Sequence, residues 1–255
     1  MKKVDIIVEA RLSSKRLPKK VMLKVLNRPL LDLMIERLKQ INFVKSIIIA
    51  TTTNKEDDAI EKIAIKNKVN YFRGSELDVL GRVTKAIIKN KTDIVVQITG
   101  DNPLADKNVV ENLIKFFIKN YERYDFVSND AGIYNSKFTQ EYPMGLNTKV
   151  FKSSLLLKVE KLTSNPVDRE HVVNYILKNC DKFKILSHKA PQELCRPELR
   201  FTLDYLEDFN LIKLVFENLY PKNSNFSILD VINFLDNNPK IKNINSNRKQ
   251  QIYKY

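Results

Sequence analysis

Glycine is scarce in this chain: five residues in 255, at positions 74, 81, 100, 132 and 145. None falls in the loop that follows the first apolar run, so neither a P-loop nor a G-x-G-x-x-G dinucleotide fingerprint is present there. That argues against P-loop kinases and ATPases and against typical NAD-dependent dehydrogenases. Cysteine is equally sparse. Cys180 and Cys195 are separated by fourteen residues and lack neighbouring ligand pairs, which is no zinc site and no disulfide framework. Reduced thiols in a cytoplasm are the expected state. No apolar run approaches the length that crosses a bilayer. The N-terminal MKKVDIIVEARL is interrupted by Asp5 and Glu9 and followed by no small-residue cleavage site, unlike a secretory signal. An Asp-x-Asp triplet, the usual metal motif of GT-A glycosyltransferases, is also missing.

What remains is a soluble, globular composition, 43% hydrophobic and 29% charged. The net charge of +14 reads either as lysines spread over exposed helix faces or as a surface for nucleic acid or a polyanionic substrate. A basic nucleic-acid-binding protein would need a patterned basic face with aromatics. Only the tail from Asn247 to Tyr255 is a candidate, so no nucleic-acid partner is expected.

Short apolar runs alternate with amphipathic stretches through the first half. Strands are predicted at Val4 to Val8, Val44 to Thr51, Asn70 to Arg73 and Asp93 to Thr99. Helices are predicted from Pro29, over 55–68, from Leu77 to Lys89 and around Val109 to Phe117. Such a pattern implies an α/β fold with a mostly parallel, doubly wound, Rossmann-like sheet. Farther on, helices are predicted at 152–162, 167–178, 205–219 and 228–235, and strands at 183–187 and 199–203. Residues 1–238 read as one domain, with 138–151 an extended arm that has no obvious place in the sheet. A basic polar tail over 239–255 is expected to fray.

Ligands of such sheets bind beyond the carboxyl ends of the strands. The loop after the first strand carries Arg11, Lys15, Arg16, Lys19 and Lys20, five cations in ten residues. That density suits a polyphosphate, although a solvated basic loop has the same composition. Gly100-Asp101-Asn102-Pro103 follows a buried strand, where Asp101 is placed either for turn chemistry or to bind magnesium, which prefers hard oxygen ligands.

The segment from Ala10 to Lys20 resembles the Ala-Arg-x-x-Ser-x-Arg-Leu-Pro-x-Lys signature of CMP-sugar-acid synthetases, with Arg11, Ser14, Arg16 and Lys20 on matching positions. The resemblance is nearest to SpsF-type cytidylyltransferases, themselves similar to CMP-KDO synthetase. It continues through Ala50-Thr51-Thr52, Phe72-Arg73-Gly74-Ser75, Asp78-Val79-Leu80 with Arg82, and Thr99 to Leu104. It ends in Arg169-Glu170-His171-Val172 and in Leu199 to Asp204 with Glu207 and Asp208.

The resemblance implies a CTP-dependent cytidylyltransferase that loads CMP onto a sugar or sugar acid. Arg11, Arg16 and Lys20 would engage the triphosphate, and Asp101 and Asp204 would bind Mg2+. Ala10, Ser14, Thr51, Arg73, Ser75, Asp78 and Arg82 would lie at the nucleotide, with cytosine read mainly by backbone near Ala10 and Thr51. Arg169, His171 and Arg200 would approach the acceptor. The family's dimeric habit implies a homodimer through the arm. Several of these residues also have plainer readings. Asp204 is placed to cap a helix with Glu207, Asp78 and Arg82 to form an exposed pair, and His171 to pack between Val167 and Tyr175.

Three positions lose or change a polar group of the family pattern, Glu9, where relatives carry Gln or Pro, and Met144 and Asn147 in the arm, where Lys149 also replaces an acid. Together with Arg169, Arg196, Arg200 and Lys149, they point to an anionic but uncommon acceptor, unless Met144 and Asn147 merely pack the arm. Nucleotidyl transfer to a sugar phosphate or phospho-alditol is the alternative.

Overall fold

The computed structural model describes residues 2–135 and 137–248. Strands β1 (Val4–Glu9), β4 (Ser46–Thr52), β5 (Asn70–Gly74), β6 (Ile94–Thr99), β7 (Phe126–Ser128), β8 (Lys149–Lys152) and β9 (Ile185–Ser187) form one sheet. β2 (Lys24–Val25) and β3 (Arg28–Pro29) make a separate small hairpin. The order across the sheet is β5-β4-β1-β6-β8-β7-β9, parallel except for β8, which runs against both neighbours. This is the mostly parallel α/β sheet expected from the apolar runs.

Helices α1 (Leu30–Leu38), α2 (Asp58–Lys66), α3 (Val79–Asn90), α4 (Lys107–Lys119), α5 (Ala131–Tyr134) and α6 (Ser153–Leu162) follow in chain order. Next come α7 (Pro166–Glu170), α8 (Asn174–Lys178), α9 (Leu206–Leu219), α10 (Ile228–Asp236) and α11 (Pro239–Lys242). Alternate residues of the strands feed two apolar layers. Ile6, Val8 and Val96 meet α1, α4 and α9 on one face, and Ile7, Val95 and Phe151 meet α3, α6 and α8 on the other. Both faces of the central strands are therefore covered, which is why their runs are apolar throughout. No helix among the described residues is long and apolar enough to cross a membrane.

Four local expectations need correction. Residues 149–151 do have a place in the sheet, as β8 between β6 and β7, and Tyr142 and Leu146 are buried in this chain's own core. The predicted strand 199–203 is instead a stretch with a single bridge, Arg200 to Met144, because its backbone bonds go to loops. The helix predicted over 167–178 breaks at His171, whose N–H closes α7 on the Val167 carbonyl at 2.9 Å. The tail does not fray at Pro239: α11 and a 3-10 turn at Asn243–Asn245 continue the fold, and Asn245 is buried. Residues 249–255 of the basic tail lie outside the described residues.

Candidate active site

From β1 the chain moves to β4 and β5 on one side, then crosses back to β6 on the other. The connections leaving the paired carboxyl ends of β1 and β6 thus run to opposite sides and leave a switch-point crevice, the usual ligand position of such sheets. A cleft of about 520 Å³ opens there, lined by the loop after β1, the loop before α3, the loop after β6 and the end of α7.

The first loop folds on its own apolar plug. Leu12 is buried, its N–H donates to the Asp57 carboxylate at 2.9 Å, and its carbonyl accepts from Ser14 and Lys19. Lys19 turns through a left-handed conformation (φ 56°) into a short 3-10 turn that aims Lys20 inward. The loop after β6 comes close enough for the Gly100 N–H to bond the Glu9 carbonyl at 2.8 Å. A Cβ at Gly100 would lie 2.9 Å from that oxygen, so this position needs glycine.

Asp101 and Asp204, 103 residues apart in sequence, meet on one cation. Lys20 Nζ donates to Asp101 Oδ2 at 2.7 Å and to Asp204 Oδ1 at 3.0 Å, and Arg16 Nη2 donates to the same Asp204 oxygen at 2.7 Å. Backbone bonds build the encounter. The Leu203 N–H donates to the Asp101 carbonyl at 2.8 Å, while Met144 brackets the stretch through Leu199 and Phe201. Gly145 (φ +97°) lies so close that any side chain there would strike the Phe201–Thr202 backbone. Burial works against the Lys20 ammonium, but the two carboxylates outweigh it and raise its pKa. Burial likewise opposes the Asp101 carboxylate, which Lys20 and the Thr99 hydroxyl nevertheless hold below the usual range.

Ala10, Arg11, Ser14, Arg16, Lys20, Arg82, Asp101 and His171 all line the cleft. Arg11 leans towards Glu170 (3.3 Å) and Glu76 (3.8 Å), two acids at the rim that carried no motif signal beyond their neighbours. Arg82 is only 2% exposed and does not pair with Asp78. Its Nη1 donates to the Ser75 carbonyl at 2.6 Å, and its Nε has no hydrogen-bond partner among the described residues. Burial pushes its pKa down, as it does that of His171.

Other expected contacts are absent from the cleft. Arg73 spends its guanidinium on Asp58, Glu61 and the Thr52 and Asn54 carbonyls, tying β5 to the loop before α2. Ser75 and Asp78 cap the start of α3, the latter accepting from Gly81 at 2.9 Å. Arg169 grips Asp78 with two bonds, 2.7 and 2.6 Å, and also reaches Glu160. Thr51 is fully buried away from the cleft, and the Ala10 N–H is already spent on the Ala50 carbonyl. Arg200 stands behind the carboxylates rather than at an acceptor, bound to Asp204 and Asp208. Asp204 does not cap α9 with Glu207; Asp208 accepts from the N–H groups of Asp204 and Tyr205, both at 3.0 Å. Since Arg73 faces away, Arg73→Ala should leave the KM for CTP within about twofold of the parent in a steady-state assay.

Of the three unusual positions only Glu9 lines the cleft. Met144 Sδ rests 3.3 Å from Arg200 Nη1, and Asn147 accepts from the Gly145 N–H. Burial raises the Glu9 pKa, against the opposing bond from Gln97 and the charges of Arg82 and Lys149. A carboxyl whose folded pKa is raised contributes stability below its unfolded pKa and loses it as pH rises through the folded value. Glu9→Gln should therefore melt higher than the parent at pH 8, the gap closing towards pH 4; a constant gap in calorimetry across that range would contradict this.

A basic, glycine-free loop at a switch-point crevice, its Lys20 bonded to Asp101 on the cleft wall and to Asp204 buried behind it, is the apparatus of a nucleotidyltransferase, not of a P-loop enzyme. A family model described as cytidylyltransferase matches residues 6–229. An uncharacterised protein of Methanocaldococcus jannaschii is 39% identical over 251 residues, covering 97% of this chain and 96% of that one. The spore coat polysaccharide biosynthesis protein SpsF of Bacillus subtilis is 28% identical over 244 residues, covering 94% and 96%. Among solved structures, a cytidylyltransferase from Leptospira borgpetersenii superposes with a TM-score of 0.87 at 33% identity over the full length of both chains. The fold of a CMP-KDO synthetase complexed with CTP is shared at a TM-score of 0.61 and 15% identity, over 85% of this chain and 99% of that one. The chain belongs to the cytidylyltransferase family and is a CTP-dependent nucleotidyltransferase.

Proposed function

We propose that the enzyme transfers CMP from CTP to a hydroxyl of a sugar or sugar acid in the cytoplasm, releasing pyrophosphate for surface-glycan synthesis. The observation that carries this reading is the convergence of Asp101 and Asp204 on Lys20 beneath the basic loop. In the reaction an acceptor oxygen bonds to the α-phosphorus as the bond to the pyrophosphate oxygen breaks. Catalysis of that kind is mostly positioning and charge neutralisation. Arg11, Arg16 and Lys20 hold the triphosphate, each offsetting part of its charge.

The residues present fit a magnesium ion. Asp101 and Asp204 offer hard oxygens to a single cation, and no three His, Cys, Asp or Glu among the described residues form an all-protein cage. Magnesium is commonly held by one or two carboxylates with phosphate oxygens and water, so the nucleotide would complete the shell. When bound, the ion supplies positive charge to the phosphate oxygens.

Arg169, Arg196, Arg200 and Lys149 are all engaged with carboxylates, so they do not make a free cationic surface for an anionic acceptor. Arg82, which lines the cleft and whose Nε has no hydrogen-bond partner among the described residues, is the cation proposed to meet a carboxylate or phosphate of the acceptor. The SpsF relative supports a sugar-related acceptor, and the CTP-bound synthetase of the same fold acts on a sugar acid. A pyrophosphate-release screen with CTP and Mg2+ against sugar acids, sugar phosphates and neutral sugars tests it. Turnover with an anionic sugar is expected; a neutral sugar as best acceptor would contradict the anionic reading. A homodimer, the habit of the resembling family, belongs to the same proposal and is checked by light scattering at micromolar concentration.

A further inference from the structure

The segment after Pro239 carries no motif, yet its first half is docked directly behind Asp204. Asn245, 4% exposed, donates from Nδ2 to the Arg200 carbonyl at 2.9 Å and to Asp208 Oδ1 at 2.8 Å. Both partners are pure acceptors, so only the amide nitrogen, not the amide oxygen, fits that position. Asp208, fully buried, also accepts from Arg200 Nε at 2.9 Å, from Arg200 Nη2 at 3.2 Å and from the Asp204 N–H at 3.0 Å. Arg200 Nη2 in turn donates to Asp204 Oδ2 at 3.1 Å. One carboxylate oxygen of Asp204 is thus pinned from behind, leaving Oδ1 directed at Lys20 and Arg16.

We infer that Asn245 is a positioning residue for Asp204, and that the C-terminal segment is part of the active-site scaffold rather than a surface appendage. Asn245 orients Asp208 and the Arg200 backbone; Asp208 fixes the Arg200 guanidinium; Arg200 fixes the Asp204 carboxylate. Losing the Asn245 donor leaves Asp208 short of a hydrogen bond in a buried setting, where polar groups must be satisfied to stay in place. The guanidinium is then free to follow Asp208 and release Asp204. Partners that orient a metal-binding carboxylate are commonly worth 10-fold or more in metal affinity. The inference rests on the reading of Asp204 as a metal-binding carboxylate.

The test uses the full chain with CTP and Mn2+ in place of Mg2+, free Mn2+ being counted by electron paramagnetic resonance. Asn245→Ala should raise the Mn2+ Kd by about tenfold, while the KM for CTP at saturating metal changes by less than about twofold. Asn245→Ser, which keeps one donor, should shift the Kd in the same direction by less, and it carries the test if the alanine variant does not fold. Lys240→Ala, exposed on the same segment, should leave the Kd unchanged. Parent-like Mn2+ affinity in a folded Asn245 variant, or an equal loss in Lys240→Ala, would overturn the inference. Parent-like Mn2+ binding by Asp204→Asn would instead remove the metal reading itself, and the inference with it.

Discussion

Asp101→Asn is expected to fold as the parent does and to release pyrophosphate from CTP about 10²–10³-fold more slowly, the scale on which loss of one transition-state charge partner is felt. The substitution keeps the side chain's size and its contact with Thr99, whose hydroxyl donates to Asp101 Oδ1 at 2.6 Å. It removes the negative charge that shares Lys20 with Asp204, and with it the hard oxygen proposed for magnesium. The loss should fall on kcat, and raising Mg2+ should recover little of it. Near-parental turnover in a folded Asp101→Asn protein, measured by coupled pyrophosphate release, would remove Asp101 from the metal site.

The second large effect is expected at Lys20 and Arg16. Either alanine substitution should weaken CTP engagement by about 1.5–3 kcal/mol, roughly 10- to 150-fold, the range for hydrogen bonds to charged groups. Lys20→Ala should be the more damaging. It removes a triphosphate contact and also leaves Asp101 and Asp204 facing each other without the cation they share. Arg16→Ala leaves Lys20 on Asp204 and removes only one of that aspartate's contacts. Titration calorimetry with CTP at fixed Mg2+ should rank the affinities parent, Arg16→Ala, Lys20→Ala. Unchanged affinity in both variants would mean that the loop does not hold the triphosphate.

The parallel half of the fold was legible because β1, β4 and β6 are covered on both faces and leave unbroken apolar runs. β8 escaped because its sequence, Lys-Val-Phe-Lys, begins and ends in charge. The first of those lysines is buried with Asp130 2.7 Å from its Nζ, a partner invisible from local spacing. The same limit explains the mixed outcome at the site. The loop after β1 could be read because its five cations fall within ten residues and its position at a strand end is generic to the fold. Arg73 and Arg169 share the cationic chemistry that suits phosphate, but their acids come from α2, from α6 and from the start of α3. Asp78 and Arg169 are 91 residues apart, and nothing in either motif announces that they neutralise one another. His171 entered the cleft for a reason that helical periodicity conceals: the helix assumed to carry it ends there. Asn245 had no signal at all, since a single asparagine in a polar tail acquires meaning only when α11 turns it back onto Asp208.

In the proposed reaction the cleft moves the α-phosphoryl group of CTP, with its nucleoside, to an acceptor oxygen. Parallel reactions with CTP labelled at the α- or the γ-phosphorus, with Mg2+ and the best acceptor from the screen, test it directly. The expected result is α-label in the acceptor product, γ-label only in pyrophosphate, and equal amounts of the two products. Transfer of the γ-label to the acceptor would contradict it.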